Sequence, residues 1–352
     1  MDLTPYLRLM VEKNASDLFI TVGAPVKIKI EGKAQSVGKT LLTGDLCKAA
    51  AYAVMHKNQI AKFEETMECD FAIPHPDGGA RFRVNVFRQR GEVGMVLRKI
   101  PNDIPTVDQL GLPEVLKDLI MHKRGLILMV GATGSGKSTT LAAMVDHRND
   151  NMYGHILTIE DPVEFSHPNK KAIVNQREVG VDTMNYRNAL KASLREAPDV
   201  ILIGEIRDRE TMEAALELCN TGHLAISTLH ANNSNQAMER VINLFPQDLH
   251  KQLFMDLSLN LRSVISQRLV LGVDGKRCAA IEIMLNTPHI AELILKGELH
   301  EIKEAMQGSG AAGMQTFDTA LFDLYKSGRI TLEEALINAD SKTNLEAKIN
   351  FG

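Results

Sequence analysis

A glycine-rich loop between an apolar run and a helical pattern carries the clearest chemistry in this sequence. It matches the spacing G-x-x-x-x-G-K-[ST] at every fixed position, with the residues Gly131, Ala132, Thr133, Gly134, Ser135, Gly136, Lys137 and Ser138. A strand pattern precedes it at residues 126–130, and a helical pattern starts at Thr139. Glycines let backbone N–H groups converge on a phosphate, and the helix N-terminus adds a favourable dipole. The loop therefore predicts binding of a nucleoside triphosphate.

Two side chains of this loop have defined tasks in such a site. Lys137 is expected to reach the β- and γ-phosphates, and the Ser138 hydroxyl to ligate Mg²⁺. The alternative is an ordinary glycine-rich turn between a strand and a helix that contains a lysine by coincidence. That alternative would not explain why a strand pattern precedes the loop and a helical pattern follows it. We therefore expect ATP and Mg²⁺ as ligands.

Three carboxylates follow the next apolar strand pattern, at residues 155–159. They are Glu160, Asp161 and Glu164. Residues just past the carboxyl end of a parallel strand lie in the crevice where such sheets bind ligands. Hydrolysis needs a group that orients or deprotonates the attacking water. Glu160 or Glu164 fits that task, and their spacing alone does not choose between them or exclude a charged loop start.

A third strand pattern, residues 200–203, ends in Gly204 and Glu205. It has the character of a Walker B strand, in which the acid acts on the metal through water. Many strands end in an acid, so this pattern indicates a Walker B strand mainly because the same chain contains a phosphate loop. Glu205 is thus a candidate for catalysis and for the metal site.

Two histidines, His223 and His230, flank the strand pattern at residues 224–229. A polar donor at the end of a strand beside the nucleotide could sense the γ-phosphate. A satisfied structural histidine is the alternative for each. Zinc binding is not indicated, because no other cysteine or histidine lies nearby at ligand spacing.

Arginines in the N-terminal part offer a further phosphate-binding group. Arg81 and Arg83 alternate with apolar residues at 82, 84 and 86, so they share one strand face, and Arg98 lies nearby in sequence. They form either a solvated face or arginine fingers that reach a phosphate of this subunit or a neighbour.

The elements that must position these groups fall into two α/β parts. The first has helical patterns at residues 5–13 and 45–63, strand patterns at 17–22, 25–31, 69–75, 80–88 and 92–100, and a turn at 77–79. In the second, strands alternate with helices as a parallel sheet requires, with strands at 126–130, 155–159, 200–203, 224–229 and 278–284. Helical patterns at 289–295, 299–306, 315–326 and 331–338 follow. We expect domains at 1–100 and 107–286, a linker at 101–106 and a helical region at 287–352.

Composition restricts the classes of function. A length of 352 residues suits two domains, and the net charge of −4 provides no basic field for nucleic acid. Four cysteines stand singly, which suits a reducing compartment. No apolar run approaches the roughly 18 residues of a membrane span, and the N-terminus has no signal-peptide core. These features predict a cytoplasmic protein with at most peripheral membrane contact.

Four segments together resemble the secretion-type ATPases of type IV pilus systems, in the PilT/PilU retraction branch. They are GATGSGKSTT (131–140), TIEDPVEF (158–165), DVILIGEIRD (199–208) and TGHLAISTLHANN (221–233). The resemblance implies a hexameric ring whose N-terminal PAS-like domain and C-terminal RecA-like domain rotate about a linker during ATP hydrolysis.

The resemblance also implies roles for individual residues. Glu164 matches the catalytic glutamate and Glu205 the Walker B glutamate. His223 and His230 match histidine-box residues near the γ-phosphate. The family's N-terminal arginines map to Arg81, Arg83 and Arg98.

The function implied is an ATPase that drives pilus retraction through an inner-membrane platform protein. The tail at 314–341 resembles the accessory branch, PilU, and residues 291–298 match the PilT motif AIRNLIREGK only loosely. An accessory subunit that binds ATP beside a homologous retraction ATPase is therefore the first alternative. A nucleic-acid translocase is the second, and the acidic charge and five tyrosines without tryptophan stand against it.

Overall fold

A computed structural model describes residues 1–78, 80–100 and 103–351, without the side chain of residue 351. The chain divides into two compact units, residues 1–103 with 164–166, and residues 104–163 with 167–352. The turn predicted at 77–79 includes Gly79, and the predicted linker begins at Pro101 and Asn102. These three residues lie outside the described part of the chain.

The first unit is an antiparallel sheet with three helices. Its elements are α1 (Thr4–Glu12), β1 (Asp17–Ile20), β2 (Lys27–Ile30), β3 (Lys33–Ser36), α2 (Gly44–Ala53), α3 (Lys57–Thr66), β4 (Glu68–Pro74), β5 (Arg81–Gln89) and β6 (Glu92–Ile100). The strand order is β3-β2-β1-β6-β5-β4, and every neighbouring pair is antiparallel. Alternate residues of β5, Phe82, Val84 and Val86, are fully buried in its core.

The single helix predicted at residues 45–63 is wrong, because the structure has two helices there. The pattern at 45–63 forms two helices because the chain leaves the helical conformation at His56, the N-cap of α3. The backbone N–H of His56 donates to Oε1 of Gln59, which caps the start of the second helix. Strand β3 was not predicted, since all four of its residues are exposed and carry no apolar pattern.

The second unit has a seven-stranded sheet covered by helices. Its elements are α4 (Val115–Ile120), β7 (Gly125–Val130), α5 (Lys137–Asn151), β8 (Gly154–Glu160), β9 (Ala172–Glu178), α6 (Tyr186–Ser193), β10 (Val200–Ile203), α7 (Arg209–Asn220), β11 (Leu224–Leu229), α8 (Ser234–Asn243), α9 (His250–Asn260), β12 (Leu261–Leu271), β13 (Arg277–Leu285), α10 (Pro288–Lys296), α11 (Ile302–Gln307), α12 (Phe317–Lys326), α13 (Leu332–Asn338) and α14 (Lys342–Phe351).

The strand order of this sheet is β13-β12-β7-β11-β10-β8-β9. All neighbours are parallel except β12 and β13, which form an antiparallel pair. The central strand β7 is buried at all six positions, which explains its unbroken apolar run. Because parallel strands end at one edge, the segments that follow β7, β10 and β11 meet there.

The predicted fold class is confirmed: an α/β chain of two units, the second of which has a mostly parallel sheet and a helical end. Strands β9 and β12 and helix α14 were not predicted, and helices α4 and α6 to α9 were expected only as an alternation with the strands, without bounds of their own. No helix among the described residues is long and apolar enough to cross a membrane.

Candidate nucleotide site

The phosphate loop joins β7 to α5 in the geometry that its sequence requires. Three of its glycines, Gly131, Gly134 and Gly136, have positive φ angles of 152°, 79° and 86°. Gly131 admits no other residue, because a Cβ there would stand 2.6 Å from the backbone oxygen of Gln267. Gly136 is the N-cap of α5, so the helix begins at Lys137 and directs its unpaired first-turn N–H groups into the loop. The concave backbone therefore fits a phosphate.

Lys137 lies folded over the loop. Its Nζ donates to the backbone oxygens of Gly131 at 2.7 Å and Ala132 at 2.9 Å. Burial lowers the pKa of this ammonium, and the carboxylate of Glu205 opposes that shift. Two backbone carbonyls therefore hold the ammonium at the loop itself.

Two cavities flank the loop. One, of about 520 Å³, borders Gly136 and Thr139 and has an apolar wall that includes Leu110, Leu269 and Val273. Such a wall fits a planar base. The other, of about 610 Å³, is lined by residues 131–135 of the loop and by side chains that include Arg268 and Glu334. Both cavities have walls of mixed character, and the one beside Thr139 is the more apolar.

Glu205 and His230 come together at the same edge of the sheet. Glu205 follows β10 and His230 follows β11, and their Oε1 and Nε2 atoms lie 3.3 Å apart. The other oxygen of Glu205 accepts hydrogen bonds from Arg207 at 2.7 Å, which raises the pKa of that guanidinium. Since Leu229 of β11 is in register with Val130 of β7, His230 lies beside the start of the phosphate loop.

His223 is placed at the other end of the same strand. It precedes β11, and its backbone oxygen accepts from the N–H of Gly125, the first residue of β7. Its Nδ1 lies 3.1 Å from both Thr221 Oγ1 and the Leu218 oxygen. The six residues of β11 separate the two histidines along an extended chain, a distance of about 23 Å. Within one chain, therefore, the structure does not bring His223 to the phosphate loop, and the predicted role beside the γ-phosphate remains untested.

The predicted acids at or after the end of β8, Glu160 and Glu164, lie in different parts of the structure. Glu160 ends the strand, and its Oε1 accepts from Thr158 Oγ1 at 2.6 Å and from Gln176 Nε2 at 3.4 Å. Glu164 is exposed and belongs to the compact unit of residues 1–103 and 164–166. Its role as the catalytic base remains a prediction.

The predicted arginines lie on adjacent strands of the first unit. Arg83 on β5 is directly opposite Arg98 on β6, and Arg81 pairs with Ile100. Nε of Arg98 donates to Oδ1 of Asp17 at 2.8 Å, and that carboxylate is almost wholly buried. Arg98 therefore bonds Asp17 through Nε while its side chain stays 67% exposed, and Arg81 and Arg83 lie on a half-buried face.

Two residues at the site were not predicted from the sequence. Tyr186, at the start of α6, places its hydroxyl against Gly204, where a Cβ would stand only 2.7 Å away. Burial raises the pKa of this phenol, as do the charges of Asp161 and Glu160. Gln267 of β12 bonds to the loop itself. Neither belongs to a recognisable motif, since each acts from a distant part of the chain.

The donors present suit the expected metal. The Ser138 hydroxyl lies in the first turn of α5 and is exposed, and the Glu205 carboxylate is close enough to the preceding residue, Lys137, to act on its pKa. Such oxygen ligands, completed by water and phosphate, are those that Mg²⁺ prefers. The fold and the loop thus define a phosphate-loop ATPase.

Comparison with known proteins places the chain more narrowly. A family model described as Type II/IV secretion system protein matches residues 2–344. The chain is 54% identical over 353 residues to the type IV pilus ATPase PilU of Pseudomonas aeruginosa, covering 100% of this chain and 92% of that protein. It is 44% identical over 335 residues to the retraction ATPase PilT of the same organism, covering 95% and 97%. The crystal structure of the pilus retraction motor PilT with bound ADP aligns with a TM-score of 0.91 at 41% identity, over 98% of this chain and 99% of that one. The chain belongs to the Type II/IV secretion system protein family and, within it, to the PilT/PilU ATPases.

Proposed function

We propose that this chain is a motor ATPase that powers type IV pilus retraction, working as a homohexameric ring. One observation supports this most directly. Its phosphate loop, Glu205 and His230 meet at one edge of a sheet in a chain that aligns along its whole length with a pilus retraction motor crystallised with ADP.

The residues of the site divide the hydrolysis between them. Lys137 and the loop N–H groups hold the β- and γ-phosphates, and the cavity beside Thr139 takes the adenosine. Bound Mg²⁺, held by Ser138 and through water by Glu205, supplies charge neutralisation of the phosphates. Glu164 activates the attacking water, and His230 senses the γ-phosphate through its contact with Glu205.

The mechanical step uses the two-domain construction. The linker predicted from the sequence at 101–106 is the proposed hinge, and the arginines of the first unit, Arg81, Arg83 and Arg98, respond to the nucleotide of the same or a neighbouring subunit. The rotation acts on the pilus platform protein of the inner membrane, so the ring works in the cytoplasm as a peripheral membrane protein. The net charge of −4 provides no basic field for nucleic acid as the track.

An accessory role is the second candidate, favoured by the 54% identity to PilU. In that case the chain works beside a homologous retraction ATPase and adds force or stability to its ring. The two candidates predict different behaviour of the pilus when this chain is removed.

The test is single-pilus imaging with fluorescently labelled pili in living cells. We expect a strain without this chain either to stop retracting and accumulate pili, as for a primary motor, or to retract and stall at lower load, as for an accessory ATPase. Complementation with Lys137→Ala should fail for a motor, whereas Lys342→Ala should restore retraction as a matched control. Unaltered pili in the deletion strain would overturn the retraction proposal.

A further inference from the structure

Strand β12 touches the phosphate loop through one buried side chain, Gln267. This side chain is 3% exposed. Its Nε2 donates to the backbone oxygen of Ser135 at 2.8 Å, and its Oε1 accepts from Thr140 Oγ1 at 2.7 Å. The amide therefore joins the middle of the loop to the first turn of α5.

The direction of this amide follows from its partners. A backbone carbonyl can only accept, so the end of the amide that faces Ser135 must be the NH₂ group. The Thr140 hydroxyl then donates to the remaining oxygen. Both ends of the side chain are satisfied in one orientation only, which fixes the rotamer as well as the hydrogen bonds.

Holding the Ser135 carbonyl also orients the next N–H group. In a planar trans peptide the C=O and the following N–H point in opposite directions. With the Ser135 oxygen held toward β12, the N–H of Gly136 points away from β12. Gln267 also lies close to the loop at two glycines, since a Cβ at Gly131 would meet its backbone oxygen at 2.6 Å and a Cβ at Gly136 would meet its Nε2 at 2.7 Å.

We propose that Gln267 is a positioning residue for phosphate binding. It holds the Ser135–Gly136 peptide so that the loop presents its N–H groups to the β-phosphate before a nucleotide arrives. This inference depends on the ATPase activity of the chain and not on its role in pilus retraction, so failure of one leaves the other standing.

The test is binding of Mg-ATP and Mg-ADP to the full chain by titration calorimetry. The variant Gln267→Glu keeps the shape of the side chain but replaces the donor with an acceptor. We expect its Kd for both nucleotides to rise roughly ten- to a hundredfold at pH 8. The matched control is Gln315→Glu, because Nε2 of Gln315 also donates to a backbone oxygen, that of Ile281, away from the loop. Its Kd should stay within about twofold of wild type.

The pH profile separates positioning from general damage to the fold. Burial raises the pKa of the introduced carboxyl, and protonation returns a donor. The Kd of Gln267→Glu should therefore approach that of wild type as the pH falls from 8 to 6. An unchanged Kd in a folded Gln267→Glu protein would overturn the proposal, and so would a raised Kd that does not depend on pH more steeply than in wild type.

A second variant decides the matter if Gln267→Glu does not fold. Thr140→Val keeps the volume of the side chain but removes the hydroxyl that holds the amide. We expect a smaller rise in Kd, about three- to tenfold. A Thr140→Val protein that binds both nucleotides as tightly as wild type would contradict the proposal.

Discussion

Oε1 of Glu205 lies 3.3 Å from Nε2 of His230, although 25 positions separate the two residues in the chain. The contact exists because β10 and β11 are parallel neighbours that end together beside the phosphate loop. Arg207 occupies the other oxygen of Glu205. The carboxylate is thereby held in place, with its side chain only 14% exposed, at the position where the metal and the γ-phosphate are expected.

Replacing Glu205 should separate ATP binding from hydrolysis. Glu205→Gln keeps the size of the side chain but removes the charge that acts on the metal-bound water. We expect kcat for ATP to fall by about 100-fold or more, with Kd for ATP within a few-fold of wild type. Steady-state ATPase assays and calorimetry measure the two quantities. Glu210→Gln, on the exposed start of α7, is the control, and equal kcat values for the two variants would contradict the assignment.

The two histidines should respond differently to substitution. His230→Ala removes the partner of Glu205, and we expect kcat to fall about 10- to 100-fold. His223→Ala removes a side chain that contacts Leu218 and Thr221 at the opposite edge, so it should lower the Tm and leave kcat within about threefold. ATPase assays and thermal unfolding of both variants decide this. A His223→Ala protein of normal Tm and strongly reduced kcat would instead indicate a role at a neighbouring subunit.

The phosphate loop should tolerate no side chain at Gly131. Gly131→Ala would place a methyl group 2.5 Å from Ser135 Oγ and 2.6 Å from the Gln267 oxygen, at a φ of 152°. We expect loss of detectable nucleotide binding and a lower Tm. Gly180→Ala is the control, because Gly180 also has a positive φ, 83°, but open space around it. That variant should bear only the backbone strain of about 1–2 kcal/mol and bind ATP normally. ATP binding by Gly131→Ala would show that the loop can move away from β12.

The tail should lose stability in acid through Asp340. Burial alone would raise the pKa of this carboxyl, but the hydrogen bond from Lys303 and the nearby charge of Arg268 hold it below the ordinary 3.8. The ionised form is thus bound more tightly in the folded state. The stabilisation is complete above the unfolded pKa of about 3.9 and is lost as the pH falls through the lower folded pKa.

Asp340→Asn tests that linkage. At pH 7 we expect this variant to be destabilised by about 2 kcal/mol, since it leaves Arg268 and Lys303 without their shared partner. The difference in Tm from wild type should narrow as the pH is lowered from 5 toward 3. Asp323→Asn, at an exposed position of α12, should show no such difference at any pH. A difference in Tm that stays constant with pH would rule out the ion-pair explanation.

Mixed rings should reveal whether Arg83 acts on a neighbouring subunit. If it does, Arg83→Ala and Lys137→Ala chains are each inactive alone but form some intact sites when mixed. We expect the mixture of the two variants to regain measurable ATPase activity, while each variant alone stays inactive. Arg90→Ala, in the turn between β5 and β6, should retain full activity. Wild-type turnover by Arg83→Ala alone would remove Arg83 from the mechanism.

The sequence by itself determined the phosphate loop, the acid after β10 and the parallel strands β7, β8, β10 and β11, whereas the predicted strand at 278–284 is antiparallel to its neighbour. These features depend on short segments whose apolar runs, glycines and fixed spacing are local. Five of the six strands of the first unit were predicted in the same way, as β5 shows with its alternation of buried and half-buried residues.

Only the tertiary structure revealed β12 and its contacts. Its sequence contains Ser266, Gln267 and Arg268 in succession, which hides the strand from any apolar pattern. Each of these finds its partner elsewhere in the chain: Glu282 of β13, the phosphate loop, and Asp340 of the tail. Buried polar groups need partners, and partners distant in sequence become visible only when the chain is folded. The two histidines likewise share a sequence motif but lie at opposite ends of β11, and the folded strand is what keeps them apart.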